Sequence, residues 1–97
     1  MSPLSAYLRH LEVERRVAAN TLAAYRRDLA KLDAFARSAG RTLLDLDRQA
    51  LEAFVREVMT TGLSPASTAR LVAAVRGLYR HLRLRGDRAD NPAEDLQ

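Results

Sequence analysis

The sequence predicts an all-α protein, a four-helix orthogonal bundle made of two antiparallel helical hairpins. Apolar residues recur at spacings of three and four in four separate segments, and no segment alternates with the period of a strand. Glycines, or capping residues followed by proline, separate most of these segments. The connections are short, so consecutive helices are expected to pair, the first with the second and the third with the fourth. A chain of 97 residues has the length of one domain.

The first two helices are predicted over residues 3–15 and 20–38. Ser2 and Pro3 form a capping signal, and the apolar stripe that follows is Leu4, Tyr7, Leu8 and Leu11. The second helix has a longer stripe: Leu22, Tyr25, Leu29, Leu32 and Ala36. Gly40 is expected to end it, because glycine readily adopts the left-handed conformation beyond a helix C-terminus. Two carboxylates within this helix are expected to pair with arginines of the same helix: Asp28 and Asp33.

The third and fourth helices are predicted over residues 48–61 and 65–85. Asp47 caps the third, which directs an apolar set inward: Leu51, Phe54, Val55, Val58 and Met59. Ser64 and Pro65 begin the fourth, whose apolar face is Leu71, Val75, Leu78, Tyr79 and Leu82. Roughly opposite lies a face of small residues and arginine: Ala66, Arg70, Ala73, Ala74, Gly77 and Arg80.

Two further segments complete the prediction of structure. Three leucines in the connection before the third helix are expected under the core: Leu43, Leu44 and Leu46. After the fourth helix, Asn91 and Pro92 are followed by an acidic residue, Glu94, which is the pattern of a helix start. A short fifth helix over residues 92–96 is therefore expected.

Positive charge is concentrated in the fourth helix and its exit. The formal net charge is +4, and Lys31 is the only lysine among the cationic residues. Between Pro65 and Arg88 six arginines stand against a single carboxylate, Asp87, whereas the rest of the chain is close to balanced. Arginine binds phosphate in bidentate fashion, so an anionic partner is expected for this helix. Taken alone, however, the helix fits a solvated outer face at least as well.

Few chemical functions fit this composition. The chain has no cysteine, so no disulfide or thiolate metal site is expected, and no apolar run is long enough for a membrane span. The start has no signal-peptide pattern, which makes the cytoplasm the expected compartment. His10 and His81 lie on different helices without metal-ligand spacing, and the three tyrosines fall on apolar stripes. We therefore expect no metal, no cofactor and no complete active site.

Two binding functions remain open. One is DNA binding by the second and fourth helices, and the other is a non-catalytic helical protein-interaction module. Protein-interaction faces usually centre on an aromatic or leucine anchor. The outer faces here carry arginine, asparagine, threonine and serine around alanine, which suits phosphates and a DNA groove better.

Three segments together resemble the signatures of one family. Residues 20–29, N-T-L-A-A-Y-R-R-D-L, resemble the N-T-x-x-x-Y-R-R-D-L signature of tyrosine recombinases of the phage integrase family. Residues 62–71 and 74–79 look like a second signature of the same domain, and Asn91-Pro92 matches the pair that leads out of it. The resemblance covers essentially the whole chain in order, and it is nearest to the Xer type, which resolves chromosome dimers.

The resemblance implies a particular role for this domain. It would be the N-terminal core-binding domain, half of a clamp around double-stranded DNA, with its first helix able to contact other recombinase protomers. The catalytic residues would lie in a separate C-terminal domain after Gln97, so this chain alone would have no enzyme activity. The isolated chain is expected to be a monomer. Ala18 stands where the family usually has serine, so the second helix is expected either to have a weaker cap or to begin at Asn20.

The same resemblance assigns the residues that would face DNA. On the second helix they are Asn20, Thr21, Ala24 and Arg27, and on the fourth they are Ser67, Thr68, Arg70, Ala74 and Arg76. Arg70 is the candidate for contact with a base edge, a guanine, while Arg76 and the later arginines are expected to contact the DNA backbone.

Overall fold

Four helices and no strand make up the computed structural model, which describes residues 1–97. The helices are α1 (Pro3–Val13), α2 (Ala19–Ser38), α3 (Arg48–Thr60) and α4 (Pro65–Leu84). Every boundary lies within two residues of its predicted position, and the prediction of an all-α bundle is confirmed. None of these helices is both long and apolar enough to span a membrane.

Side-chain caps begin three of the four helices. In α1, α3 and α4 an oxygen of the capping residue accepts a hydrogen bond from the backbone N–H three residues later: Ser2 from Ser5 at 3.1 Å, Asp47 from Ala50 at 2.8 Å, and Ser64 from Ser67 at 3.1 Å. The N-cap of α2 is Ala18, whose side chain makes no such bond. As predicted, α2 is poorly capped, and the N–H groups of its first turn receive no side-chain hydrogen bond from Ala18.

Helix α4 is the centre of the bundle and packs against each of the other three helices. Its apolar face is fully buried: Leu71, Val75, Leu78, Tyr79 and Leu82. The buried hydroxyl of Tyr79 donates to the carbonyl oxygen of Leu43 at 2.7 Å, which ties the α2–α3 connection to α4. Leu43 and Leu46 are buried as predicted, but Leu44 is exposed, and Met59 of α3 is 59% exposed rather than directed inward.

The fifth helix expected over residues 92–96 does not form, and residues 92–95 make turns instead. Asn91 does cap this segment, because its side-chain oxygen accepts from the N–H of Ala93 at 3.1 Å. Helix nucleation fixes several residues for one hydrogen bond, and a segment this short does not recover that cost. It is held instead by burial of its apolar residues: Pro92, Ala93 and Leu96.

Arg88 has a structural role that its place in the basic segment did not predict. Its Nη1 donates to the carbonyl oxygen of Leu46 at 2.6 Å and its Nε to Asp90 at 2.9 Å. The guanidinium also lies 5.4 Å from the centre of the Tyr79 ring, within the range of a cation–π contact. Arg88 therefore fastens the chain after α4 to the core and is not free to contact a ligand.

Helix α1 packs closely against α4 at Gly77. A Cβ atom placed on Gly77 would lie 2.3 Å from the hydroxyl oxygen of Tyr7 and 3.4 Å from its Cζ. The first distance is impossible without movement, whereas the second is an ordinary contact. Gly77, expected on the outer face of α4, thus belongs to the α1–α4 packing and makes room for one oxygen atom.

We predict that Gly77→Ala destabilises the unmodified protein but does not destabilise the Tyr7→Phe variant. Overpacking costs about 1–3 kcal/mol, which exceeds the roughly 1 kcal/mol that alanine gains over glycine in a helix. Removing the Tyr7 oxygen removes the clash, so Gly77→Ala should be neutral or stabilising by up to about 1 kcal/mol in that background. Urea unfolding of the four members of the double-mutant cycle measures this. Equal effects of Gly77→Ala in both backgrounds would show that the hydroxyl is not the obstacle.

Candidate nucleic-acid interface

A buried ion pair joins the two helices that carry the predicted DNA-binding residues. Arg70 of α4 donates from Nε to one carboxylate oxygen of Asp28 at 2.8 Å and from Nη2 to the other at 2.9 Å. The side chain of Asp28 is 1% exposed, whereas that of Arg70 is 34% exposed. The hydrogen bonds to Asp28 also raise the pKa of Arg70 above its ordinary value. The pair therefore has a buried anionic end on α2 and a cationic end that reaches the surface.

The ion pair fixes how α2 lies on α4. A buried carboxylate must be paired, and removal of one partner from a buried pair typically costs about 3–5 kcal/mol. The bidentate geometry allows only one orientation of the guanidinium relative to Asp28. Sliding either helix would separate the two groups, so the pair sets the register in which the two helices present their outer faces.

On α2, most of the predicted site is at the surface. Asn20, Thr21 and Arg27 are exposed, and the first two lie in the uncapped first turn. Ala24, also predicted to face DNA, is only 7% exposed and contributes to the core. Ala24 falls within about 40° of Asp28 around the helix, on the side that α4 covers, and the exposed alanine of this turn is Ala23.

On α4, the predicted residues divide in the same way. Arg76 is exposed and Ser67 and Thr68 are half-buried. Ala74, also predicted to face DNA, is 0% exposed and lies in the core beside Val75 on the buried side of the helix. The exposed alanine is again the preceding residue, Ala73.

The remaining residues of α4 lie on two sides of the helix. Arg70 faces α2 through its ion pair, whereas Thr68 and Arg76 line an open groove of about 580 Å³ beside α3. The floor and far wall of this groove are apolar and include Val55, Met59, Leu63, Val72 and Leu96. Thr68 and Arg76 therefore line the same groove, whereas Arg70 lies about 120° around the helix from Arg76, on the side of α2.

Unpaired cations lie on both helices and not only on α4. None of the following exposed side chains makes an ion pair: Arg26, Arg27 and Lys31 on α2, and Arg76, Arg80 and Arg83 on α4. Arg85 lies 3.7 Å from Asp87 and Arg88 is engaged with Asp90. Six exposed cations without an ion pair thus lie on the two helices that the Asp28–Arg70 pair joins, and four more lie elsewhere: Arg9, Arg15, Arg16 and Arg56.

Asp28 is the residue that sequence reasoning misplaced. Asp33 pairs within α2 as predicted, with its carboxylate 2.8 Å from Arg37. Asp28 pairs across the bundle instead, with a partner 42 positions away in the chain. Its phase did contain a signal, because Tyr25 and Leu32 stand three residues before it and four after it on the inner side of the helix.

Comparison with known proteins identifies the family of this chain. The family model described as "Phage integrase, N-terminal SAM-like domain" matches residues 4–86. The chain belongs to this family. Tyrosine recombinase XerC of Pseudomonas aeruginosa strain LESB58 is 45% identical over 94 residues, which are 96% of this chain and 31% of the relative. Tyrosine recombinase XerD of Caulobacter vibrioides is 41% identical over 88 residues, 91% of this chain and 29% of the relative. The chain therefore spans about a third of the length of these recombinases.

Two tyrosines of this SAM-like domain are committed to packing. Tyr79 is 0% exposed and bonded to Leu43, and burial raises its pKa well above the ordinary value. Burial is also the main cause that raises the pKa of Tyr7, whose hydroxyl lies over Gly77. Both phenols are therefore held in the protonated form and away from solvent.

The two histidines meet where α1 packs on the end of α4. The His81 ring lies between those of Tyr7, at 5.1 Å, and His10, at 4.8 Å between ring centres. His10 Nδ1 lies 3.1 Å from a carboxylate oxygen of Glu14, and Nε2 of His81 is buried without a hydrogen-bond partner. No group of three or more histidine, cysteine or acidic residues is arranged to hold a metal ion. The pair is thus a packing contact with one unsatisfied nitrogen.

We predict that the SAM-like domain loses stability in mild acid because of His81. Burial lowers its pKa below the ordinary 6.5, with His10 and Arg85 acting in the same direction and Asp87 and Glu14 opposing them. The unfolded chain takes up the proton near pH 6.5, whereas the folded chain keeps His81 neutral, so stability is complete above that pH and falls as the pH drops through the lower folded pKa. Urea unfolding from about pH 7.5 to about 5 measures this loss, which should be smaller in His81→Phe. Parallel pH profiles of the two proteins would contradict the prediction.

Proposed function

We propose that this chain binds double-stranded DNA as the N-terminal domain of a site-specific tyrosine recombinase, with α2 and α4 turned toward the duplex. It would form one half of a clamp around a recombination half-site. The complete protein would act with other recombinase protomers in DNA integration or recombination. By analogy with the Xer relatives, that reaction would be the resolution of chromosome dimers in the cytoplasm.

The distribution of free cations is the observation that carries this proposal. Six exposed cationic side chains without ion pairs lie on α2 and α4, which a buried ion pair holds in register. Neutralisation of phosphates by arginine and lysine supplies most of the sequence-independent affinity of proteins for DNA. The family relationship gives the same partner independently.

Polar groups on the same helices suit phosphate contacts. Asn20 and Thr21 are exposed in a first turn whose backbone N–H groups no side chain caps, and such N–H groups favour an anion. Arg27 and Arg76 would add charge-assisted bonds to the backbone of the duplex. Most contacts of this kind position a protein on DNA without reading its sequence.

We further propose that strand cleavage belongs to a part of the recombinase outside this chain. The family places its nucleophilic tyrosine and its catalytic arginines and histidines in a separate C-terminal domain. Tyr7 and Tyr79 are engaged in the core, which is consistent with a role in the fold and not in attack on a phosphodiester.

A second function, binding of a protein segment, has one observation in its favour. The groove between α3 and α4 is lined mostly by apolar residues, and Met59 in it is 59% exposed. Such a groove could receive an apolar side chain from another protein. It carries less weight than the DNA proposal because Thr68 and Arg76 stand on its rim.

Binding to duplex DNA should be weak and strongly dependent on salt. We expect a Kd on the order of 10⁻⁴ to 10⁻⁶ M for an arbitrary duplex. Arg76→Ala should weaken binding and lower the slope of log K against log salt by about one, because one phosphate contact is lost. Fluorescence anisotropy of a labelled duplex at several salt concentrations measures both quantities.

The matched control is Arg37→Ala, which removes the same charge from the far end of α2, about 25 Å along the helix from Asn20. Its salt slope should equal that of the unmodified chain. Equal losses in the two variants would mean that binding follows net charge alone. No salt-dependent binding at all, with tight binding of an apolar peptide instead, would favour the protein-interaction function.

A further inference from the structure

The Asp28–Arg70 pair occupies only one edge of the arginine side chain. Asp28 accepts from Nε and from one hydrogen of Nη2, so both hydrogens of Nη1 and the second hydrogen of Nη2 make no bond within the protein. These remaining hydrogens form the end of the planar guanidinium, where Nη1 and Nη2 point in parallel. The end is the edge that binds two acceptors at once.

The two ends of the ion pair differ in exposure. Asp28 is buried at 1% exposure on α2, and the Arg70 side chain is 34% exposed, so part of the arginine is open to solvent beyond its buried anchor. The residues one turn before and after it on the outer side of α4 are small and exposed: Ala66 and Ala73. On the α4 side, a large ligand can therefore approach Arg70 without meeting a bulky neighbour.

The ion pair with Asp28 also lowers the entropy that the Arg70 side chain loses when it binds a ligand. A free arginine side chain has many rotamers, and ordering it on binding lowers affinity. Asp28 has already fixed Nε and Nη2 in the folded protein, with both bonds below 3 Å. Pre-ordering of this kind suits a partner that offers two acceptors in a fixed plane.

We propose, resting on the proposed function, that the free Nη1–Nη2 edge of Arg70 binds the O6 and N7 acceptors of a guanine in the major groove, and that Asp28 is the positioning residue that aims it. Asp28 itself contacts no DNA. Arg70 is then the residue through which this domain adds sequence preference, whereas Arg27 and Arg76 add affinity for any duplex. Guanine is the base whose O6 and N7 offer two acceptors in one plane on the major-groove edge, which matches two parallel N–H groups.

A selection experiment on duplex DNA tests this proposal. The unmodified chain is incubated with a duplex library whose central base pairs are randomised, and bound duplexes are sequenced. Affinities of each variant are then measured on the preferred duplex and on the same duplex with single base-pair changes. We expect a preference for one G·C pair of about 5- to 150-fold in Kd.

Arg70→Lys is the decisive variant, because it keeps the charge and an ion pair with Asp28 but has no planar edge. It should lose the preference at that G·C pair and retain most of its affinity for other duplexes. Asp28→Asn keeps the Arg70 residue but removes its charged anchor, so it should relax the same preference. Thermal melting shows whether this variant folds. If it does not fold, Asp28→Glu, which keeps the charge but moves the carboxylate, takes its place. Arg76→Ala is the control and should weaken binding to all duplexes equally.

Two results would overturn the proposal while leaving DNA binding intact. One is that Arg70→Lys keeps the full preference, and the other is that the unmodified chain binds duplexes in a salt-dependent manner without preferring any sequence. In either case Arg70 would be a structural residue or a phosphate contact. Absence of salt-dependent binding by the unmodified chain would instead contradict the proposed function, and this inference would fail with it.

Discussion

The buried carboxylate of Asp28 is the constraint on which the rest of the arrangement depends. A charge at 1% exposure requires a partner, and Arg70 of α4 supplies it through two hydrogen bonds of 2.8 and 2.9 Å. Apolar packing alone tolerates small shifts between helices, because hydrophobic attraction has no direction. A bidentate ion pair does not, so the outer faces of α2 and α4 are held in one register. In our account this register makes two separate helices act as a single binding surface.

The other distinctive contacts secure α4 as the support for that surface. Gly77 lets α1 approach to the distance of one hydroxyl group, and Tyr79 bonds the α2–α3 connection. Arg88 fastens the following segment by packing over the same tyrosine. Each of these contacts depends on a polar atom or, at Gly77, on the absence of a side chain. Such contacts fix the position of a neighbouring segment more narrowly than packing between leucines does. A rigid support of this kind lowers the cost of ordering the polar side chains that the surface would present to DNA.

The sequence predicted local structure well, because helices can be recognised from sequence patterns that extend over only a few residues. Caps such as Ser64 and the apolar period around Leu29 and Leu71 depend only on neighbours within a turn or two. What it could not predict depends on partners far along the chain. The role of Asp28 required Arg70, 42 positions away, and the role of Gly77 required Tyr7. Ala24 and Ala74 were assigned to the surface because alanine fits either side of a helix, so its phase is settled only by what packs against it.

Residue-resolved NMR of the labelled chain during titration with a DNA duplex tests the central claim most directly, because it locates the binding surface. The account predicts that the largest chemical-shift changes fall on Asn20 and Thr21 at the start of α2 and on Thr68, Arg70 and Arg76 of α4, and that added salt reverses them. Val13 and Leu84, which are exposed beside the histidine pair, should change little. Changes centred on that α1–α4 cleft, with α2 and the start of α4 unaffected, would contradict the account.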